Sequence, residues 1–317
     1  MIDRALFAGP PICIVGNINR DVKVQDVPNS TALFEDGETS VPSIIETVGG
    51  GGANSACAAA ALGGSARFVG KVGTDALGER LKHALESHGV QTHLAHDPQG
   101  ATGTTVALGL TNRHRHFLSC LPNNETLRFE DLDLTALDGC AHLLRADVWF
   151  SLAMLEGGNL SLFTEARRRG IKTSLDLNFD PCWSTGNQKQ IARRKEMLRE
   201  ALGAVDLAHG NVRELREFTD SPDLETALQR LTDWGVGAAV VHLGAQGAGF
   251  WAGSELVVEP PSPVGTVVNS TGSGDVLSIC MILLHGRIDL SIREKLRLSN
   301  EVVREFMEAR RRLIPPI

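Results

Sequence analysis

The chain has 317 residues, 42% of them hydrophobic, enough to bury one large α/β core or two smaller ones. Its net charge of −7, with no long basic block, argues against a nucleic-acid partner, and no apolar run approaches the roughly 20 residues that span a bilayer. Six scattered cysteines without a C-x-x-C pair, and an N-terminus without a basic region before an apolar core, point to a cytoplasmic protein with buried free thiols.

Residues 12–15 (Ile, Cys, Ile, Val) are a short apolar run of the kind buried in parallel sheets. Ligands gather at the carboxyl ends of strands in open α/β sheets, which places Asn19 and Asp21 to contact one. Both also suit a plain turn. Residues 22–43 turn polar without a helical period and read as strands and loops outside the main core. Four glycines, Gly49 and Gly50 first, then clear every side chain from the backbone ahead of an Ala-rich helix over 57–62. Asn54, one turn in, offers both a donor and an acceptor, as a sugar hydroxyl requires. A dinucleotide fingerprint fails here, because Asn54 stands where its third glycine belongs and no apolar strand precedes Gly49. A strand is expected over 66–69. Gly70 and Lys71 imitate a P-loop, but Val72 and Ser65 occupy the positions such a loop reserves for Ser/Thr and Gly. Residues 75–88 are an amphipathic helix with Leu77, Leu81, Ala84 and Leu85 on one face, and 104–110 read as a strand. Residues 113–116 (Arg, His, Arg, His) lack a carboxylate or Cys at ligand spacing, so a hairpin turn or a substrate-facing tip is expected rather than a metal site.

From about residue 134 the pattern becomes repeated βα units: a helix, a strand over 147–150, a helix over 161–169, and a strand over 172–175 running into Asp176 and Asn178. Residues 206–209 make another short strand. Asn211 and Glu214 follow, three apart on the first turn of a helix, and a cap followed by a solvated Glu is the plain reading. A strand over 238–243 ends in a turn bordered by Gly244 and Gly247. Strands so separated argue for a parallel, helix-covered sheet. The most informative stretch comes next. Val267 and Val268 close a β-branched run, residues 271–274 form a tight turn, and 276–284 read as a buried helix. Gly272 and Gly274, flanking Ser273, let bare N–H groups reach a ligand where a helix begins, a natural anion site. Asp275 beside a bound anion is poorly placed to bind phosphate and well placed to take a proton from an attacking hydroxyl. The alternative is a loop with Asp275 as helix N-cap. The cluster 310–312, all Arg, reads as the close of a C-terminal helix, complementing its dipole.

In chain order, residues 16–21, 49–54, 211–214, 244–247 and 269–275 resemble five segments of the ribokinase-like (PfkB) carbohydrate kinases: the sugar strand, G-G-x-G-x-N, N-x-x-E, the nucleotide turn and D-T-T-G-A-G-D. The resemblance spans most of the chain. It implies one ribokinase-like domain over 1–317, α/β in class, with three α/β/α layers, a mostly parallel central sheet and a small β-sheet lid from about 18–45 and 95–120. By that likeness Asn19, Asp21, Gly49, Gly50, Asn54 and Asn178 bind the acceptor. Asn211, Gly244, Gly247, Thr271 and Asn300 face the nucleotide, Glu214 organises Mg²⁺ through water, Gly272, Ser273 and Gly274 form the anion hole, and Asp275 is the base. The implied partners are ATP and a sugar or related polyol, with a homodimer through the lid as a further expectation.

Departures from the family pattern carry their own expectations. Asn269 replaces an Asp that ligates a monovalent cation in dependent relatives, so little dependence on K⁺ is expected. Gly51 stands where ribokinases proper carry Lys, Cys280 and its successors replace a Gly/Ala-rich helix, and Glu301, Arg304 and Glu305 replace an Ala-rich stretch at the adenine pocket. The leading function is ATP-dependent phosphorylation of a sugar or polyol hydroxyl. A nucleoside kinase of the same fold would want aromatic residues around its base, and they are sparse here. A catalytically weak sugar-binding or regulatory homologue is suggested by Asn269 and the altered tail, and opposed by Asp275 with both glycines.

Overall fold

The computed structural model describes residues 2–112, 114–267, 271–310 and 313–317. Arg113, Asn269, Val268, Arg311 and Arg312 lie outside the described residues, and with them the expectation about K⁺. In chain order the strands are β1 (Ile12–Val15), β2 (Asn19–Val27), β3 (Ile44–Gly49), β4 (Ala66–Gly73), β5 (Gln91–Asp97), β6 (Thr104–Leu110), β7 (Arg115–Cys120), β8 (His142–Arg145), β9 (Lys172–Asp176), β10 (Leu207–Asn211), β11 (Ala238–His242), β12 (Ala248–Trp251) and β13 (Leu256–Glu259). The helices are α1 (Gly51–Leu62), α2 (Ala76–Ser87), α3 (Pro122–Glu125), α4 (Asn159–Arg168), α5 (Cys182–Thr185), α6 (Gln188–Arg199), α7 (Val212–Thr219), α8 (Leu224–Asp233), α9 (Ser273–Leu283) and α10 (Ile292–Met307).

The nine-stranded sheet runs β13-β12-β11-β10-β9-β8-β1-β4-β5, parallel from β11 to β5 and antiparallel at β12 and β13. Side chains alternate between its faces. Ile12 and Ile14 enter a core with α1, α2, α9 and α10, whereas Cys13 and Val15 enter a second core with α4, α6, α7 and α8. Both faces are therefore helix-covered, which is why β1 is apolar throughout. The chain leaves β1 toward β4 and β5, then returns to build β8 to β11 on the other side. Strand order thus reverses between β1 and β8, and a crevice opens at their carboxyl ends.

A separate four-stranded sheet, β3-β2-β6-β7, stands over that crevice. It uses residues 19–27, 44–49, 104–110 and 115–120, while 95–97 belong to the edge strand of the large sheet. Two buried asparagines pin the crossing between the sheets. Asn124 Oδ1 accepts from Ile18 N (3.2 Å), and Asn123 Oδ1 accepts from Gly103 N (2.8 Å) while its amide donates to the carbonyls of Ile18 and Lys71 (3.1 and 2.5 Å).

Several expectations need correction. The strand expected over 147–150 is instead β8, ending at Arg145; polar His142 and Arg145 conceal it, though both are buried. The helix expected before it is only a 3-10 turn at Leu134–Leu137. Strand β4 continues through Gly70 and Lys71 to Gly73, since pairing with β5 overrides the local glycine signal. A strand does precede the glycine run: β3, masked by Glu46 and Thr47, pairs antiparallel with β2. Helix α10 ends at Met307, so Arg310 lies beyond it, and Cys120 is exposed while Cys182 is half-buried. No described helix is long and apolar enough to cross a membrane.

Candidate active site

The crevice floor is assembled by helix starts and strand ends. Gly272, at φ 88°, ends the incoming loop so that α9 begins at Ser273. Asp275 is therefore the third residue of the helix and not its N-cap, which corrects the capping alternative. Its Oδ2 accepts from Asn54 Nδ2 at 3.3 Å, tying the start of α9 to α1. Burial, then the charge of Asp147, raises the Asp275 carboxyl to about 8.

Asp147, which sequence reasoning missed, organises the other half of the floor. It sits at φ 55° just past β8, with its carboxylate accepting from Gly52 N (2.8 Å), Asn17 N (3.0 Å) and Gly51 N (3.2 Å). These donors are unpaired groups at the end of β1 and the start of α1, so a buried carboxylate fastens the two. Burial raises its pKa against the pull of those N–H groups and of Arg145. Asn178, itself at φ 45°, accepts from Asp147 N at 2.8 Å and holds the turn. The only sequence signal for Asp147 was an acid following Leu143 and Leu144.

On one flank of Asp275 lies a group of small polar residues. Asn19 Nδ2 donates to Asp21 Oδ1 (2.9 Å), and burial raises Asp21 to about 6 despite that bond and the charge of Lys23. Gly49 packs against the Asp21 carboxylate, where any side chain would collide. Gly50, at φ 91°, caps α1 with its Cα against the Asn17 carbonyl. Asn54 Oδ1 is buried and has no partner among the described residues, so a ligand hydroxyl would complete it.

On the other flank is a cavity of about 740 Å³. Gly272, Ser273, Gly274, Asp147, Asp176, Asn178, Asn211, Glu214, Thr271 and His242 line it, along with Phe150 and Phe179. Asn211 and Glu214 do form the reciprocal cap, with bonds of 2.8 and 2.9 Å, yet Glu214 is not solvated: burial raises its pKa. Asp176, fully enclosed beside the charges of Asp275 and Glu214, is raised well above the usual range. Ser278 Oγ bridges Asp176 Oδ2 (3.3 Å) and His242 Nε2 (3.1 Å). Among the described residues no three His, Cys, Asp or Glu are arranged to grip a metal directly. Glu214 and Asp176, converging carboxylates with raised pKa values, are the residues that would hold a Mg²⁺, which would neutralise phosphate charge there.

Three of the residues expected to face the nucleotide fall outside the cavity lining. Gly244 and Gly247 form a turn just after His242, at φ 59° and 96°. Asn300 instead donates to the carbonyls of Glu259 (3.1 Å) and Pro260 (2.9 Å), fastening α10 to the end of β13.

The small sheet supplies the roof. Paired positions share a face, so the rungs Asp21–Thr105–Ser119, Lys23–Ala107–Phe117 and Gly109–Arg115 look the same way. His114, Arg115 and Phe117 line the cavity, and Arg115 donates to Thr271 Oγ1 at 2.9 Å. Lys23 feels the charges of Asp21 and Asp275, though burial lowers its pKa. The sequence marked 113–116 as a hairpin or substrate-facing tip, and β6 and β7 do meet there.

Residues 11–278 match the profile of the pfkB family carbohydrate kinases. A ribokinase of Arabidopsis thaliana is 26% identical over 287 residues, covering 85% of this chain and 69% of the relative. A cytidine kinase of Thermococcus kodakarensis is 25% identical over 300 residues, covering 90% and 95%. The solved structure of an Arabidopsis thaliana ribokinase with ribose and ATP superposes with a TM-score of 0.76 at 21% identity, covering 96% of this chain and 95% of that one. The fold, three α/β/α layers with a small β-sheet, is thus ribokinase-like.

Proposed function

The chain belongs to the pfkB family of carbohydrate kinases and is a kinase of the sugar or nucleoside kind, and from that premise we propose that it transfers the γ-phosphoryl group of ATP to a hydroxyl of a sugar or related polyol. One observation carries the reading: Asp275 stands at the start of α9 between the Gly272–Gly274 turn and the unsatisfied Asn54 amide oxygen. An acceptor hydroxyl held by Asn54 and Asp21 lies beside the carboxylate that would take its proton. As the new O–P bond forms, the bond from the γ-phosphorus to the bridging oxygen breaks, leaving ADP. The α9 N–H groups stabilise the charge on the moving phosphoryl. A bound Mg²⁺ supplies further neutralisation of phosphate charge. The chain's own contribution is to orient: Asn211 holds Glu214, Ser278 holds Asp176, and the small sheet acts as a lid that keeps water from competing as acceptor.

A nucleoside acceptor is the second reading. The cavity gathers Phe117, Phe150 and Phe179, more aromatic wall than the composition suggests, although Arg213 already covers Phe179 at 4.5 Å. An ATP-consumption screen with Mg²⁺ over a panel of sugars and nucleosides tests both. Turnover with a pentose or hexose supports the first reading, turnover confined to nucleosides supports the second, and none with either class overturns both.

A further inference from the structure

We propose that Arg115 is a catalytic residue delivered by the lid, its guanidinium closing on the phosphoryl group in transit; this rests on the kinase reading of the site. The argument begins with strand register. Arg115 opposes Gly109, two residues along β7 from Phe117, so it projects with Phe117 from the inner face of the small sheet. No side chain on Gly109 shields it. The guanidinium reaches across to the large domain and donates to Thr271 Oγ1 at 2.9 Å. Thr271 opens the turn whose next three residues form the anion hole, and Arg115 lines the same cavity as Gly272, Ser273, Gly274 and Asp275.

The choice of side chain is telling. A structural tether to a hydroxyl needs one donor, whereas a guanidinium presents five in a fixed plane matched to phosphate oxygens. Its partner is neutral, so the positive charge keeps its value for an incoming anion. The floor beneath is acidic: Asp147, Asp176, Glu214 and Asp275 all line the cavity. A phosphoryl group entering there needs positive charge from above as well as from a metal. Arg115 sits on the separate small sheet, so on this proposal its charge arrives when that sheet covers the site. Closing the lid and completing the anion hole become one event, and Thr271 is the latch that registers the two.

The test uses the intact protein, Mg·ADP and aluminium fluoride, a planar mimic of the phosphoryl group in transit, with binding followed by calorimetry. The wild type is expected to bind Mg·ADP more tightly when fluoride is present. Arg115→Ala should bind Mg·ADP alone as the wild type does, lose at least about tenfold of the fluoride-dependent gain, and turn over roughly 100-fold more slowly or worse. Added guanidinium ion should restore part of the rate in Arg115→Ala, and Arg115→Lys should retain more activity than Ala. A hinge or folding role would not produce chemical rescue. A full fluoride-dependent gain in Arg115→Ala overturns the proposal, including the case where only the acceptor KM rises because Arg115 holds an acidic group of the acceptor. A wild type with no gain overturns it together with the kinase reading of the site.

Discussion

Asp275 meets conflicting demands. The base proposed for the reaction must be ionised, yet burial and the neighbouring Asp147 raise its carboxyl to about 8. Free protein at neutral pH therefore carries mostly the protonated form, and kcat/KM should rise with pH toward a plateau above about 8. Metal and lid cations in the ternary complex should pull the pKa of the kcat profile lower. Asp275→Asn should cut kcat by at least about 100-fold with little change in nucleotide affinity; steady-state kinetics with calorimetric ATP binding checks this. Glu214 separates differently, because it caps α7 and, on the proposed reading, would also serve the ion. Gln can still accept from Asn211 N, so Glu214→Gln should melt within a few degrees of the wild type while needing about tenfold more Mg²⁺ for half-maximal rate. A normal Mg²⁺ response with lowered stability would leave Glu214 as a cap alone. At this scale the sequence exposed residues lying next to glycines or inside short motifs. It could not expose Asp147 or Lys23, whose partners are 95 and 252 positions away, and it marked Arg115 only within a hairpin or substrate-facing tip, its partner being 156 positions away.

The element that most constrains the site is α1, whose first turn rests directly on the end of β1. A Cβ on Gly52 would stand 2.6 Å from Gly16 Cα and 3.0 Å from its carbonyl carbon. Backbone lies on both sides, so the helix itself must lift. That motion would break the Asp147 bonds to Gly51 and Gly52 and carry Asn54 away from Asp275. Gly52→Ala should cost about 1–3 kcal/mol by overpacking and lower kcat/KM as well; urea unfolding and kinetics measure the two. Gly203→Ala, where nothing lies within 4 Å, is the control and should change neither. The run of glycines announced a close approach. What approaches is the neighbouring strand and an aspartate just past β8, which no local pattern could reveal.

Across the whole molecule, the burial that builds the site also sets the pH response of the ligand-free fold. Asp21 and Asp275 are raised to about 6 and about 8, against roughly 3.9 in an unfolded chain. Above pH 4 the unfolded chain loses these protons while the folded one keeps them, so their contribution falls as pH rises and is exhausted only past the folded pKa. His142 and His242 run the other way. Burial depresses them to about 3 and about 4, from roughly 6.5 unfolded, so they oppose folding only as pH falls below 6.5. Between pH 6.5 and 8 the carboxylates act alone. The stability of the ligand-free protein should decline across that window, by no more than about 1.4 kcal/mol per pH unit for each proton involved, with Tm falling alongside, and Asp275→Asn should flatten the decline. Thermal melts at constant ionic strength decide it; a flat Tm in the wild type between pH 6.5 and 8 would contradict the raised pKa of Asp275.

Periodicity and glycine placement in the sequence pointed to the parallel, helix-covered sheet and to a buried helix opening beside the glycine turn and Asp275, read as 276–284 where α9 begins at Ser273, because each depends on neighbours within one turn or one strand. Local signals failed where pairing partners were distant. Strand β8 hides behind His142 and Arg145, β4 runs through a glycine and a lysine, and β3 carries Glu46 and Thr47. Hydrogen bonds to a neighbouring strand outweigh a residue's own preference in each case. Tertiary structure alone decided that Asp147 binds three amides, that Asn300 braces α10, and that one face of the small sheet turns Lys23, Phe117 and Arg115 toward Asp275. Those outcomes follow from strand order and register, which bring together residues that no stretch of sequence contains at once.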